Sequence, residues 1–109
     1  MRIFVSVLAM LFGALHLAAG TYAEFKGKDT AAQNNGGMMA MGGLFAFMGD
    51  CSHLSYHPSW LHALLLAFAC IFICYAAYAN GRRSGNFHLS HHIVRGGIAV
   101  LLVVGFLIW

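Results

Sequence analysis

Three long, nearly charge-free segments constrain the fold of this chain more than any other feature of its sequence. They run from Ile3 to about Ala23, from Ser59 to about Ala79 and from Ile93 to Trp109. A helix needs about 20 apolar residues to cross the hydrocarbon core of a bilayer, and each segment reaches or approaches that length. The sequence therefore predicts an all-α membrane protein with three transmembrane helices, in a single domain covering 1–109.

The composition agrees with a membrane protein and excludes an ordinary soluble domain. Of the 109 residues, 61% are hydrophobic and 8% are charged, against roughly 45–50% and 25% in soluble domains. A soluble domain of about this size buries only some two thirds of its unfolded surface, which leaves too much apolar surface in water. The net charge of +3 comes with no basic run, so we expect membrane lipids as partners and no nucleic acid.

The segment between the first two spans has a different character. Residues 24–37 are polar and rich in turn-forming types, which predicts an exposed loop. Residues 38–49, MMAMGGLFAFMG, are apolar but too short to cross a bilayer, as is typical of interfacial or re-entrant segments. We expect a long outer loop, 24–58, that holds this short Met/Phe-rich segment against a partner. The expected contact residues are Met39, Leu44, Phe45 and Phe47.

The positions of Lys and Arg predict the orientation of the chain. Four arginines lie near the N-terminus and around the connection 80–92, whereas the loop 24–58 holds two lysines and all three acids. By the positive-inside rule, the N-terminus and the inner loop 80–92 face the cytoplasm or an organellar matrix. The loop 24–58 and the C-terminus then face outside. The expected location is a bacterial inner membrane or an organellar inner membrane.

The first apolar segment also fits a secretory signal peptide. A single Arg precedes it and small residues, Ala18, Ala19 and Gly20, follow its apolar stretch. Cleavage would leave a two-helix hairpin with both ends outside and a basic turn inside. Over residues 59–109 that layout resembles conjugative pilins, and the resemblance implies a pilin-like structural role.

Seven histidines and three cysteines supply most of the candidate chemistry. The candidate metal ligands near the outer end of the second span are Cys51, His53, His57 and His62. In a helical segment His53 and His57, four residues apart, share one face and can hold zinc or copper. The methionines of segment 38–49 would add soft ligands that suit Cu(I). A wet interfacial loop without metal fits the same residues, so both interpretations stay open.

Two further histidines form a positional pair. His16 and His62 lie near the outer ends of the first two spans, and antiparallel helices would bring them to similar depth. Such a pair can ligate haem or bind a quinone headgroup, and small cytochrome b anchor subunits have this general look. The Ser-x-x-Arg and Asp-Tyr motifs of those anchors do not occur in this sequence, so we expect no haem.

A basic and histidine-rich patch surrounds the connection 80–92. It consists of Arg82, Arg83, His88, His91, His92 and Arg95. Spacings of three and four residues place the histidines on one helical face. Next to arginines, they predict contact with lipid phosphates or with the acidic surface of a partner.

The sequence lacks the residue patterns of an enzyme. No nucleophile constellation, phosphate-binding loop or carboxylate pair occurs, and none of the three acids lies inside a predicted span. Proton pumps and secondary transporters usually need such acids. The sequence predicts a small accessory or structural subunit of a larger integral membrane complex, of energy-converting or oxidase type, without a cofactor. The alternative is an outward-facing membrane protein that binds copper or another transition metal.

Overall fold

The chain folds into helices throughout the part that the structure describes. A computed structural model describes the backbone of residues 1–55, 60–85 and 87–108, and the side chains of these residues except 50, 52–55 and 84. The helices of these described ranges are α1 (Arg2–Lys26), α2 (Thr30–Ser55), α3 (Trp60–Ser84) and α4 (Leu89–Ile108). The all-α prediction is confirmed. Three helices, α1, α3 and α4, are long and apolar enough to cross a membrane, as the sequence predicted.

Helix α2 corrects the prediction of a long loop over 24–58. It is 26 residues long, and it begins where Asp29 caps it: the Ala32 N–H donates to Asp29 Oδ1 at 2.9 Å. The short Met/Phe-rich segment is the middle of this helix. Propensity argued for a loop because residues 33–37 are Gln, Asn and Gly, but packing against neighbouring helices contributes more to helix stability than propensity does.

The inner loop is also shorter than the predicted 80–92. Helix α3 continues to Ser84 and α4 already begins at Leu89, so the connection is 85–88. Gly85 follows α3 with φ +74°, a left-handed conformation that glycine adopts without strain and that commonly ends helices. Apolarity marks the part of a helix that lipid or core surrounds, and polar residues can extend the helix beyond it.

Consecutive helices run in opposite directions. Gly20 of α1 lies against Ala40 of α2, and Gly42 of α2 lies against Ile73 of α3. Gly105, near the end of α4, lies against Val5, near the start of α1. The helices thus form an up-down-up-down bundle in which α1 and α3 are parallel. We call the end with the connections 27–29 and 85–88 the basic end, and the end with both termini the terminal end.

This arrangement disagrees with the prediction that the termini lie on opposite sides. Three antiparallel spans would separate them, whereas four antiparallel helices bring them together, as the contact of Val5 with Gly105 shows. The difference comes entirely from α2, which the sequence analysis treated as a loop. The connection 27–29 therefore lies at the same end of the bundle as the connection 85–88.

Backbone contact between α1 and α2 depends on four glycines. Gly13 and Gly20 are seven residues apart on α1, and Gly36 and Gly43 are seven apart on α2, so each pair lies on one helical face. A Cβ on Gly13 would come within 2.8 Å of the Gly43 carbonyl oxygen, and one on Gly43 would collide with the Leu17 backbone. Small residues allow this close approach, as they do between membrane helices.

The core lies where α2 is enclosed by its neighbours. Ala9 and Phe12 of α1, Ala46 of α2, and Leu66 and Ile73 of α3 belong to one buried cluster, which Leu102 and Phe106 of α4 complete. The outward face of α2 is also apolar. Its exposed large side chains are Met41, Leu44, Phe45 and Met48. The middle of α2 is thus apolar on its outer face as well as on its buried face.

Candidate functional site at the basic end

The basic end gathers charged and histidine side chains from the connections 27–29 and 85–88 and from the helix ends beside them. The predicted headgroup patch, Arg82 to Arg95, lies here as the sequence suggested. Lys26 and Lys28, which the sequence analysis placed on the opposite side, lie here too, lining one cavity with Arg83. This grouping depends on the number of helices. Because α2 is a helix antiparallel to α1, the connection 27–29 lies at the same end of the bundle as the connection 85–88.

Arg83 is already committed to a carboxylate of the chain. Its Nη1 donates to both Asp29 carboxylate oxygens at 2.6 Å, which joins the connection 27–29 to the last turn of α3. Hydrogen bonds from Arg83, and secondarily from the Ala32 N–H, hold the pKa of Asp29 below its usual value. The pair is largely exposed, so we assign it a local positioning role rather than a large share of stability.

An aromatic cluster fixes the turn between α3 and α4. The Phe87 ring stacks on His92 at a centroid distance of 4.8 Å, and Tyr78 meets both rings edge-on. The Arg82 guanidinium lies 5.9 Å from the Phe87 ring centroid, within cation–π range. His92 and Arg82 therefore have ring partners within the chain. The sequence analysis missed Phe87, although it is an aromatic residue in an otherwise polar connection.

Arg95 borders two cavities. The first, of about 260 Å³, lies between α3 and α4 and is lined by Asn80, His88, His91 and His92 among others. The second, of about 460 Å³, lies between α1 and α4, and we call it the α1/α4 cleft. Its lining is Phe12, Leu15, His16, Ser90, His91, Val94, Arg95 and Ile98. Arg95 and His91, four residues apart, share the face of α4 that looks into both.

His16 contributes a buried imidazole to the α1/α4 cleft. Its Nδ1 donates to the Phe12 carbonyl oxygen at 2.8 Å, and its ring lies 4.3 Å from the Phe12 ring. Because a carbonyl oxygen only accepts, this bond leaves Nε2 as an acceptor. The predicted pairing of His16 with His62 at equal depth is wrong. Since α1 and α3 run parallel, His62 lies at the start of α3 while His16 lies fourteen residues along α1.

The predicted metal ligands lie near the terminal end. Cys51 is close to the end of α2 and His62 to the start of α3. The side chain of His53 and the whole of His57 fall outside the described residues, so the metal site stays a prediction. Among the side chains that the structure describes, no three His, Cys, Asp or Glu converge to hold a metal.

The predicted partner-contact residues divide into two kinds. Met39 is buried against Ala76 and Ala77 of α3, so its side chain is covered within the chain. Phe47 is half-buried, and its backbone lies beside Gly13. Leu44 and Phe45 are 41% and 48% exposed, and these two remain available to lipid or a partner.

Comparison with protein-family models, with curated proteins and with solved structures finds no match for this chain. The geometry of the bundle itself is what points to a function. That geometry offers a polar cleft at the basic end and a largely apolar outer surface.

Proposed function

We propose that this protein is a small, non-catalytic accessory subunit of a larger integral membrane complex. One observation carries the proposal: an apolar groove of about 360 Å³ runs between α3 and α4 on the outside of the bundle. Its floor includes Ala67, Gly96 and Ala99, and an added Cβ on Gly96 would meet no atom within 4 Å. Small residues that leave a groove open suit close approach by another helix. A transmembrane helix of a partner subunit fits this groove.

Two matched variants test this proposal. Gly96→Leu fills the groove, whereas Gly97→Leu adds the same side chain beside it, where an added Cβ also meets open space. After purification in mild detergent from native membranes, we expect the wild type and Gly97→Leu to retain the same partner proteins and Gly96→Leu to lose them. An identical partner set in all three, or a wild type that purifies alone, would contradict the proposal.

Exposed residues of α2 provide a second test of partner contact. Phe45 is about half exposed, and Phe45→Ser removes apolar contact area of the kind worth roughly 1.5–3 kcal/mol when buried. We expect weaker co-purification and unchanged helix content, measured by quantitative mass spectrometry and circular dichroism. Unaltered recovery of every partner would leave α2 facing lipid only.

In the four-helix topology that we propose, α1 runs in the direction opposite to the one expected from the sequence, while α3 and α4 keep their expected directions. Five of the six Lys and Arg residues lie on the basic-end half of the bundle, and Arg2 alone lies at the terminal end. The positive-inside rule then puts the basic end in the cytoplasm or matrix and both termini on the other side. In this proposal α2 crosses the bilayer between α1 and α3.

Cysteine labelling distinguishes the four-helix from the three-helix topology. In a background without native cysteines, Lys28→Cys and His88→Cys should react with an impermeant reagent from the same side of the membrane. A chain that keeps only Cys51 should react from the other side. Labelling of positions 28 and 88 from opposite sides would restore the three-span topology and refute ours.

A second proposal is that the protein handles copper or another transition metal. Cys51 and His62 favour it, because they lie at the same end of neighbouring helices. Replacing His53 and His57 together should abolish metal retention while helix content stays unchanged, as measured by elemental analysis of the purified protein. Metal well below one equivalent in the wild type would exclude it.

A further inference from the structure

We propose that the α1/α4 cleft binds an anionic phospholipid, with the lipid phosphate on Arg95 and His91 and an acyl chain along the apolar wall below them. The inference needs only that the bundle lies in a membrane. It does not depend on a partner subunit, so its failure and the failure of the accessory role are distinguishable.

Arg95 has no counter-charge in the part of the chain that the structure describes. It lies six residues into α4, about 9 Å along the helix axis, and it is half-buried. Of the three acids, Asp29 is paired with Arg83, Glu24 packs beside Gly37 on α2, and Asp50 belongs to the terminal half of α2. A guanidinium at this depth is costly unless an anion or water accompanies it.

The polar groups of the cleft are placed for a phosphate. His91 lies one turn before Arg95 on the same face of α4, and Ser90 adds a hydroxyl beside it. Arginine recognises phosphate oxygens through two parallel N–H donors, and histidine and serine can donate to the remaining oxygens. All three groups come from the first two turns of α4, at the level of the headgroups in the proposed topology.

Apart from His16, whose Nδ1 is bonded to the Phe12 carbonyl oxygen, the remaining wall of the cleft is apolar and open at the side. Leu15 is 67% exposed, Val94 61% and Ile98 42%, and Phe12 closes the back of the cleft. A free phosphate ion makes no use of such a wall, whereas an acyl chain attached to the phosphate fills it. The cleft therefore has the polar rim and apolar wall of a phospholipid site, and its volume of about 460 Å³ lies within the usual size of ligand sites.

Three basic side chains near Arg95 already have partners within the chain, which favours Arg95 as the ligand of the phosphate. Arg83 is bound to Asp29, and Arg82 lies against the Phe87 ring. His92 is stacked on the same ring. Arg82 also provides a matched control, since Arg82→Gln changes the net charge of the basic end by the same amount as Arg95→Gln without touching the cleft.

Native mass spectrometry tests the proposal directly. The purified chain is released from micelles that contain equal amounts of phosphatidylglycerol and phosphatidylcholine, and the retained lipid is weighed. We expect wild type and Arg82→Gln to retain one phosphatidylglycerol in preference to phosphatidylcholine, and Arg95→Gln to retain it roughly tenfold less. Equal losses in both arginine variants would show general charge attraction and overturn the site, as would equal retention in all three proteins.

Two further arms keep the test decisive. Leu15→Trp fills the apolar half of the cleft and leaves Arg95 in place, so it should displace the lipid even if Arg95→Gln does not fold. Millimolar inorganic phosphate should leave the bound lipid in place. Full displacement by phosphate, or undiminished lipid binding by Leu15→Trp, would refute an acyl-chain site and assign the cleft to a free anion.

Discussion

Glycines between α1 and α2 are packed against the facing helix, whereas two glycines in the first half of α4, unlike Gly105 near its end, border open space. Along α1 and α2, added methyl groups at Gly13, Gly20 or Gly43 would strike the backbone of the facing helix. On α4, an added Cβ at Gly96 or Gly97 would meet nothing within 4 Å. The first set of glycines therefore allows α1 and α2 to approach closely, and the second set leaves open space on the outer surface of α4.

The cavities follow the same division. An apolar groove lies on one side of α4 and the α1/α4 cleft on the other, whereas α2 is enclosed by α1 and α3. Close backbone contact gives many dispersion contacts and a single fixed separation, while loose packing leaves room for lipid or another helix. The α1–α2 pair is thus the most tightly packed part of the molecule, and α4 packs more loosely against its neighbours.

The largest expected effect comes from adding a side chain to a glycine in the tightly packed α1–α2 contact. Gly43→Val places branched carbons against the Leu17 backbone, which no change of rotamer relieves. We expect the free energy of unfolding to fall by roughly 1–3 kcal/mol or more, since overpacking costs at least that much. Unfolding in mixed micelles with increasing denaturing detergent measures it.

Gly97→Val is the matched control for that variant, because its added carbons lie in open space. It should leave the unfolding curve within experimental scatter of wild type. Equal destabilisation by the two substitutions would mean that the two sets of glycines do not differ.

A hydrogen bond between α2 and α3 tests how the face of α2 away from α1 contributes to stability. The side-chain NH2 group of Asn35 donates to the side-chain Oδ1 of Asn80 at 3.1 Å, joining α2 to α3. Asn80→Leu leaves the Asn35 amide without this partner, and we expect a loss of about 1 kcal/mol, as is typical of hydrogen bonds between membrane helices. A double-mutant cycle with Asn35→Leu isolates the pair, and purely additive effects would show that the bond contributes nothing.

The smallest expected effect lies at the basic end, in the ion pair of Asp29 and Arg83. In the folded state, hydrogen bonding to Arg83 holds the pKa of Asp29 below its ordinary value. The stabilisation is therefore complete above that value and is lost as the pH falls through the lower pKa of the folded state. The melting temperature of wild type should exceed that of Asp29→Asn slightly at neutral pH and match it in strong acid.

Salt provides the control for this pair, because both side chains are exposed and screening weakens such pairs. The small difference between wild type and Asp29→Asn should shrink as the ionic strength rises. A difference that is independent of both pH and salt would assign the effect to the capping hydrogen bond from the Ala32 N–H to Asp29 rather than to the ion pair.

The sequence was sufficient for three of the helices, because long charge-free runs have few alternatives to a membrane span. It was misleading for α2, whose Gln33, Asn34 and Asn35 favour a loop by local propensity. The available signal was the seven-residue spacing of Gly13 with Gly20 and of Gly36 with Gly43, which matches two helical faces. Spacing alone does not say which faces meet, and that depends on packing between distant parts of the chain.

The candidate site followed the same rule. The i, i+4 relation of His91 and Arg95 is local and could be predicted from the sequence. The position of His16 beside them, and of Lys28 next to Arg83, could not, because each depends on the number and direction of the helices. Missing one helix misplaced the connection 27–29 and the N-terminus relative to the rest of the chain.

Helix α2 has a consequence for how the chain reaches its membrane. Among the helices of the described ranges, α2 alone falls short of the hydropathy of a spanning segment, so we expect that a translocon does not insert it into lipid by itself. In the proposed topology α2 packs against α1 first, and it enters the bilayer only after α3 has been synthesised and covers the face of α2 that α1 leaves open. Insertion of α2 then depends on α3. In a nascent chain truncated before α3, we expect α2 to remain outside the bilayer and to be degraded by membrane quality-control proteases.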